Sequence, residues 1–327
     1  NTIKQERLNN QVANLDVETS ENSIQESIAQ IYIQILYAAE SVKVNENTLQ
    51  VSIAQRDRGQ ELLNAGSIAK SDFAQLEAQV STDRYQLVTA QATLQDYKLQ
   101  LKQLLELDGE NEMNIYLPVL SDENVLLPLP AKKDVYMSAL TLRPEIEASK
   151  INVEASELGI DIAKAGYLPT ISLSAGIGTN HTSGSDFTFG EQVKNGWNNS
   201  IGVSVSVPIF NNRQTKSAVQ KAKLQRETSL LSLLDEQKTL YKTIEGLWLD
   251  ANSAQQRYAA ANEKLKSTQI SYDLISEQFD LGMKNTVELL TEKNNLLQAQ
   301  QEQLQAKYMA ILNTQLLKFY QGDKLAL

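Results

Sequence analysis

The sequence predicts a mainly α-helical chain with one β-hairpin: long antiparallel coiled helices, interrupted by two strands of membrane-spanning length. Three observations predict it. The chain repeats itself at a shift of 216 residues, each half is built on heptads, and between the halves the hydrophobic period drops to two.

The repeat comes first because it orders everything else. The shift brings Leu8 onto Leu224, Leu15 onto Leu231, Ile28 onto Ile244, Leu49 onto Leu265, Asp57 onto Asp273, Glu61 onto Glu277 and Gly66 onto Gly282. Past the glycine, Asp72 meets Glu288 and Phe73 meets Leu289. QLL recurs at 103–105 and 315–317 with the offset shortened by four residues, a change that coiled packing absorbs as a stutter.

Heptads run through both halves. Ile28, Ile35, Val42, Leu49 and Leu63 keep the spacing, with Arg56 interrupting; Phe73, Val80, Leu87, Leu94 and Leu101 keep it unbroken. Ile244, Ala251, Tyr258, Leu265, Tyr272 and Phe279 form a third series, and Leu290, Leu297, Leu304 and Ile311 a fourth. By themselves these series favour an intramolecular helical bundle or a dimeric coiled coil of cytoplasmic type. The lengths argue for something longer. A helix from near Gln214 to the turn at Gly282 spans about 100 Å at 1.5 Å per residue, and a return helix of roughly 35 residues follows. The first half repeats this: a helix to about Leu63, a turn at Asn64–Ala69, and a return to about Leu107.

Residues 108–131 break the pattern. Asp108-Gly109 ends the helix, Pro118, Pro128 and Pro130 mark an irregular connection, and one short strand is expected at Met113–Leu117. Helix resumes through TLRPEIEASKINVEASELGIDIAKAGY, with Pro144 where a helix begins. In Thr170–Asn180, Ile171, Leu173, Ala175 and Ile177 then alternate with serine and glycine. In Ser200–Phe210, Ile201, Val203, Val205 and Val207 do the same. Each run has the length of a tilted transmembrane strand, and the polar, glycine-rich loop between them holds Phe187, Phe189 and Trp197. A soluble, half-buried hairpin would show the same alternation. Context favours the membrane, since only long helices flank the hairpin and a lone hairpin is marginal in water. In lipid its edges must be closed by further strands.

Composition narrows the function. The 327 residues carry a net charge of -10, against a nucleic-acid surface, and no cysteine, which excludes disulfides and thiolate metal sites. No apolar run is long enough for a transmembrane helix. No catalytic, cofactor or metal constellation is visible: His181 is the only histidine and lies in the loop, and SAGIGTN lacks phosphate-loop spacing.

The ordered set LRPEIEAS, AGYLPTISLSAGIG, VSVSVPIF followed by Asn211-Asn212-Arg213, and the turns AGSIAKSDF and LGMKNTVELL, resembles the outer-membrane efflux protein family typified by TolC. The resemblance covers essentially the whole chain. It implies a homotrimer in an outer membrane, its helices forming an α-barrel in the periplasm and its hairpins contributed to a shared β-barrel. Such a duct passively carries substrates delivered by an inner-membrane transporter and a periplasmic adaptor, and is not an enzyme. The alternative is a periplasmic coiled-coil scaffold or adaptor with no channel of its own. The expected organisation is 1–107 first periplasmic hairpin, 108–131 equatorial connection, 132–169 helix leading to the membrane, 170–210 transmembrane hairpin with its extracellular loop, 211–320 second periplasmic hairpin and 321–327 tail. About 86 residues, from 131 to 216, have no repeat partner. Three copies of one hairpin supply six strands, below the roughly eight of the smallest barrels. The expectation is therefore a parent chain that starts about 85 residues earlier, plus a secretion signal.

The resemblance also implies site residues. Asp72, Phe279, Lys284, Glu288 and Thr291 fall at the periplasmic aperture. Lys284 stands where the family's type member has arginine, Phe279 where it has tyrosine, and Thr291 in place of a second acid. Lysine lacks arginine's bidentate fork, so the expected lock reduces to an Asp72–Lys284 ion pair. Asp72 and Glu288 also suit helix N-termini as plain dipole partners. Gly66, Ser67, Ile68, Gly282 and Met283 are expected to meet the adaptor, with glycine's ordinary C-cap role alongside. Ile171, Leu173, Ile177, Ile201, Val203, Val205 and Val207 are expected to face lipid.

Overall fold

A computed structural model of the chain describes residues 1–107, 115–118 and 125–325. It is mainly helical. Helices α1 (Thr2–Asn64), α2 (Lys70–Leu104), α3 (Lys132–Leu142) and α4 (Pro144–Lys164) precede a two-stranded hairpin, β1 (Thr170–Gly178) and β2 (Asn198–Ser206). A short helix α5 (Phe189–Asn195) sits in the hairpin loop; α6 (Gln214–Asp280) and α7 (Thr286–Gln321) complete the chain. Two compact units are discontinuous in sequence: 1–15 with 147–236, and 16–146 with 237–327.

In the first unit α4 packs on both long helices. Gln5 Nε2 donates to the Ala155 carbonyl at 3.0 Å, and Arg226 Nε to Glu157 Oε1 at 3.0 Å. The antiparallel strands pair Ile171 with Val205, Leu173 with Val203 and Ala175 with Ile201, so the apolar residues share one face and Ser172, Ser204 and Ser174 the other. β2 ends at Ser206, so Val207 lies past the strand expected to hold it. Pro208, which cannot donate to a ladder, follows immediately. The chain then turns into α6 through Asn212 and Arg213, both left-handed at φ 47° and 61°. The hairpin loop is more ordered than its polar composition suggests: Thr188 and Glu191 form a capping box that starts α5.

The second unit holds two helical hairpins, α1–α2 and α6–α7, with α3. Ile33 and Leu36 of α1 pack with Tyr258 of α6 and Tyr308 and Ile311 of α7. Val135 and Ala139 of α3 pack with Ile244 of α6 and Leu317 of α7. Leu289 and Leu296 are buried while the heptad residues Leu290 and Leu297 are half-buried. Helix α7 has neighbours on several sides, so its buried arc is wider than one seam. The return helix α2 ends at Leu104, three residues before the expected boundary. The break between α3 and α4 follows from Pro144, which pushes Arg143 to an extended ψ of 124°. Asp108, Gly109, Met113 and Asn114 lie outside the described residues, and Ile115–Leu117 have no regular secondary structure. What ties down the described part of the connection is α6: Gln255 Nε2 donates to the Val125 and Leu127 carbonyls, and Trp248 Nε1 to that of Pro130.

Candidate functional site

The two helical tips are built alike. At the end of α1 the Gly66 N–H donates to the Leu63 carbonyl and the Ser67 N–H to that of Leu62. At the end of α6 Gly282 donates to Phe279 and Met283 to Gln278. This is the Schellman pattern, and it requires a left-handed residue, here Gly66 at φ 74° and Gly282 at φ 73°. Gly66, Ser67, Gly282 and Met283 are exposed and Ile68 is half-buried.

The returning helices start differently. Asn285 and Glu288 make a full capping box: the Glu288 N–H donates to Asn285 Oδ1 at 2.9 Å, and the Asn285 N–H to Glu288 Oε2 at 3.3 Å. Lys284 Nζ reaches Glu288 Oε1 at 2.6 Å. That hydrogen bond, with the Asn285 backbone, holds the Glu288 carboxyl below the usual carboxylate range. At the first tip alanine has no side-chain acceptor, so only half the box forms, from the Ala69 N–H to Asp72 Oδ2 at 3.3 Å.

The expected Asp72–Lys284 lock is therefore not what these residues make. Each acid serves the start of its own helix, and Lys284 is one turn from Glu288. Nor does Phe279 stand open at the tip. It is buried with Leu76 of α2 and Leu289 of α7, where the two hairpins meet. A phenyl ring gains more from that burial than from water. Thr291 is exposed, its hydroxyl donating back to the Val287 carbonyl.

Two links near the tips tie the hairpins together. Arg58 of α1 donates to the carbonyl of Asp280, the last residue of α6, at 3.2 Å and lies 3.9 Å from its carboxylate. Gln55 of α1 donates to the Tyr272 hydroxyl at 2.9 Å. Arg58 and Asp280 are both substantially exposed, and such pairs contribute about 0–1 kcal/mol.

Deeper in the seam lies a group of another kind. Ser52 of α1, Asp83 of α2 and Lys293 of α7 are mutually hydrogen-bonded. The lysine and aspartate side chains are only 4% and 1% exposed. The second carboxylate oxygen of Asp83 accepts from Gln79 Nε2 at 2.9 Å, and Gln79 also reaches Asn294 Oδ1 at 3.4 Å. Burial pushes the Lys293 ammonium below its usual range, and Asp83 opposes that. Hydroxyl, amine and carboxylate are the atom types of a nucleophile and its base, yet here all three are sealed between helices and spent on one another. Removing one partner from such a pair costs about 3–5 kcal/mol, because the other charge stays buried.

A second buried charge sits where α3 meets α4. Arg143 Nη2 donates to Glu26 Oε1 at 2.6 Å, and its guanidinium lies 3.7 Å from the Tyr320 ring centroid and 5.0 Å from that of Phe319. Neither group stands out as a site in the sequence. Arg143 belongs to the LRPEIEAS segment, which marks the family and no function. Ser52, Asp83 and Lys293 each lie three residues past a heptad position: Leu49, Val80 and Leu290. That places polar residues at inward positions on three helices.

The hairpin presents the opposite imbalance. Ile171, Leu173, Ile177, Ile201, Val203, Val205 and Val207 are all exposed, Ile201 at 82%. No helix among the described residues is long and apolar enough to cross a membrane. In the loop, Gln192 organises the chain by accepting from the Thr182 N–H at 2.8 Å and donating to the Phe187 carbonyl at 2.8 Å. His181 Nδ1 lies 3.1 Å from the same amide oxygen, and its ring meets Phe189 edge-on.

The family model for outer membrane efflux proteins matches residues 135–322. Outer membrane efflux protein BepC of Brucella suis is 25% identical over 294 residues, covering 89% of this chain and 61% of that protein. Outer membrane protein TolC of Escherichia coli is 23% identical over 313 residues, covering 92% of this chain and 62% of that protein. The chain thus spans about three fifths of the length of the curated relatives it matches. The solved outer-membrane channel OprN superposes with a TM-score of 0.80 at 18% identity, covering 97% of this chain and 69% of that one.

Proposed function

The chain belongs to the outer membrane efflux protein family, and from that premise we propose that it is the outer-membrane exit duct of a tripartite efflux or type I secretion system. On this reading three copies form one passive conduit. Their hairpins cross the outer membrane, their long helices extend into the periplasm, and their tips meet an adaptor that couples them to an inner-membrane transporter.

The observation that carries the reading is the hairpin. Its apolar face is exposed, and among the described residues neither of its edges pairs with a further strand. Exposed apolar faces of this kind need a partner or a lipid surface, and open edges need further strands. A shared barrel in lipid answers both demands. A groove of about 550 Å³ between α6 and α7, where Ala254, Ala260, Ala261 and Ala306 lie among charged residues such as Arg257 and Glu302, is where a helix of a second copy would be accommodated on this reading. Glu288, repeated three times around an axis, would form a ring of carboxylates, each already paired with Lys284, and that ring would favour cations only where the acids face the passage more closely than the lysines.

The test is conductance of the complete protein in a planar lipid bilayer, with and without Glu288→Ala. Cation-favouring channels that lose selectivity on substitution support the duct and place Glu288 at its constriction. Channels indifferent to the substitution keep the duct and remove Glu288 from its aperture. A protein that is soluble without detergent and non-conducting replaces the duct with a coiled-coil scaffold.

A further inference from the structure

Resting on the duct reading, we propose that Arg213 and Lys216, together with Ile209 and Phe210, bind the headgroup of an anionic phospholipid at the foot of the hairpin. The cations take the lipid's phosphate, and the two apolar side chains take the start of its acyl chains. The sequence at the foot is unlike the rest of the chain. From Asn198 to Asn212 no residue is charged. Residues 206–226 then hold five cations, Arg213, Lys216, Lys221, Lys223 and Arg226, and no acid. The whole chain has a net charge of -10, so this stretch reverses the prevailing sign. Arg226 is spent on Glu157 and Glu227. Arg213, Lys216, Lys221 and Lys223 are exposed and make no ion pair among the described residues. Partners within the fold therefore do not account for them.

The apolar side of the foot is equally open. Val207 and Ile209 continue the alternation of Val203 and Val205 past the end of β2, and Ile209 is 95% and Phe210 85% exposed. Thr215 joins this side to the foot of the other strand: its buried hydroxyl accepts from Asn211 Nδ2 and donates to the Gly166 carbonyl at 3.3 Å. Tyr167 and Leu168, next along that strand's approach, are exposed as well. Depth decides which cations meet a headgroup. The headgroup layer of one leaflet is roughly 5–7 Å thick. Lys216 stands about 3 Å from the start of α6, and Lys223 about 14 Å. With Phe210 at the hydrocarbon boundary, Arg213 and Lys216 fall in that layer, where their long stems reach toward a phosphate. Lys221 and Lys223 act from below it, over a Debye length of about 8–10 Å. A zwitterionic headgroup carries its own ammonium and gains little from this surplus of cations; an anionic one gains from each of them.

The experiment reconstitutes the complete protein in phosphatidylcholine vesicles carrying a trace of spin-labelled phosphatidylglycerol or spin-labelled phosphatidylcholine. The immobilised fraction of each label gives the preference for the anionic lipid. A cation close to an anionic headgroup is worth about fivefold in association, the equivalent of about 1 kcal/mol. Wild type is therefore expected to favour phosphatidylglycerol at least about fivefold, and Arg213→Gln with Lys216→Gln to bring the ratio near one. Both side chains are exposed, so the fold loses no buried contact with them. Lys194→Gln, in the loop at the far end of the hairpin, is expected to keep the wild-type ratio. An equal loss with Lys194→Gln means that any exposed cation suffices, and overturns the site. A wild-type ratio near one in an inserted protein overturns the site and leaves the duct standing. No immobilised lipid of either kind means that the hairpin is not in the bilayer, and overturns the duct reading with the site. A preference abolished by inorganic phosphate, but not by chloride at equal ionic strength, marks a site for free phosphate and overturns the lipid assignment.

Discussion

Arg143 holds Glu26 at 2.6 Å with one nitrogen while its guanidinium plane lies 3.7 Å from the centroid of Tyr320, so one side chain joins α1, the α3–α4 junction and the end of α7. Arg143→Ala leaves the Glu26 carboxylate without its charged partner, with only the Tyr320 hydroxyl at 3.5 Å, and removes the cation from the Tyr320 face. Glu26 keeps some water, so the expected loss is about 3 kcal/mol, the lower end for breaking a buried pair. Arg143→Lys should recover less than half of it, since an ammonium cannot both stack on the ring and reach the carboxylate with a planar fork. Denaturant unfolding in detergent measures both.

Tyr320 reports the same node from the alkaline side. Burial, then the Glu26 charge, push its phenol up to about 12, while Arg143 pulls the other way. A raised folded value means that the neutral phenol is the form the fold favours. Its contribution is fully present below the unfolded value of about 10 and is lost as pH rises through about 12. In a spectrophotometric titration, the difference between wild type and Tyr320→Phe should be one phenol with a midpoint well above 11. A midpoint near 10 would mean that the ring is not enclosed.

How far these groups can be read in the sequence depends on what a periodic pattern can encode. The four long helices, their glycine turns and the alternating strands are legible, because each follows from a repeat of apolar residues or a left-handed position that glycine fills. Pairing across helices is not. The family resemblance makes Lys284 and Asp72 the expected partners, yet the acid four residues on, Glu288, is the one the lysine reaches. The resemblance sets Phe279 at the aperture, while its heptad position points it inward, and Leu76 and Leu289 cover it there. The polar residues at inward heptad positions are a readable signal; which of them meet depends on how the helices lie together in three dimensions.

Gly59 and Gly246 test packing with opposite signs. Both lie inside long helices, where alanine is intrinsically favoured by about 1 kcal/mol. A Cβ at Gly246 would meet nothing, so Gly246→Ala should raise stability by roughly that amount. A Cβ at Gly59 would stand 2.3 Å from Leu76 Cδ1, and Leu76 is itself enclosed. Overpacking costs about 1–3 kcal/mol, so Gly59→Ala should lower stability despite its helix propensity. The repeat partner of Gly59 is Ile275, and Gly59→Ile should fail to close the first hairpin. Unfolding midpoints of the three variants give the order directly.

Leu173 and Val203 face each other across the hairpin on its apolar side. If that side lies against hydrocarbon, an aspartate at either position puts a carboxylate in the bilayer, at a cost of a few kcal/mol near the midplane that falls toward the interfaces. Leu173→Asp and Val203→Asp should each reduce the membrane-inserted fraction, and the two together should abolish it. Ser172→Asp and Ser204→Asp, on the opposite face of the same strands, should insert nearly as well as wild type, because that face would look into water. Flotation of the protein with liposomes separates the two faces. Insertion lost equally from both faces would mean that the hairpin tolerates no charge at all, as a hairpin buried in protein would. Insertion retained by Leu173→Asp with Val203→Asp would remove the strands from the bilayer.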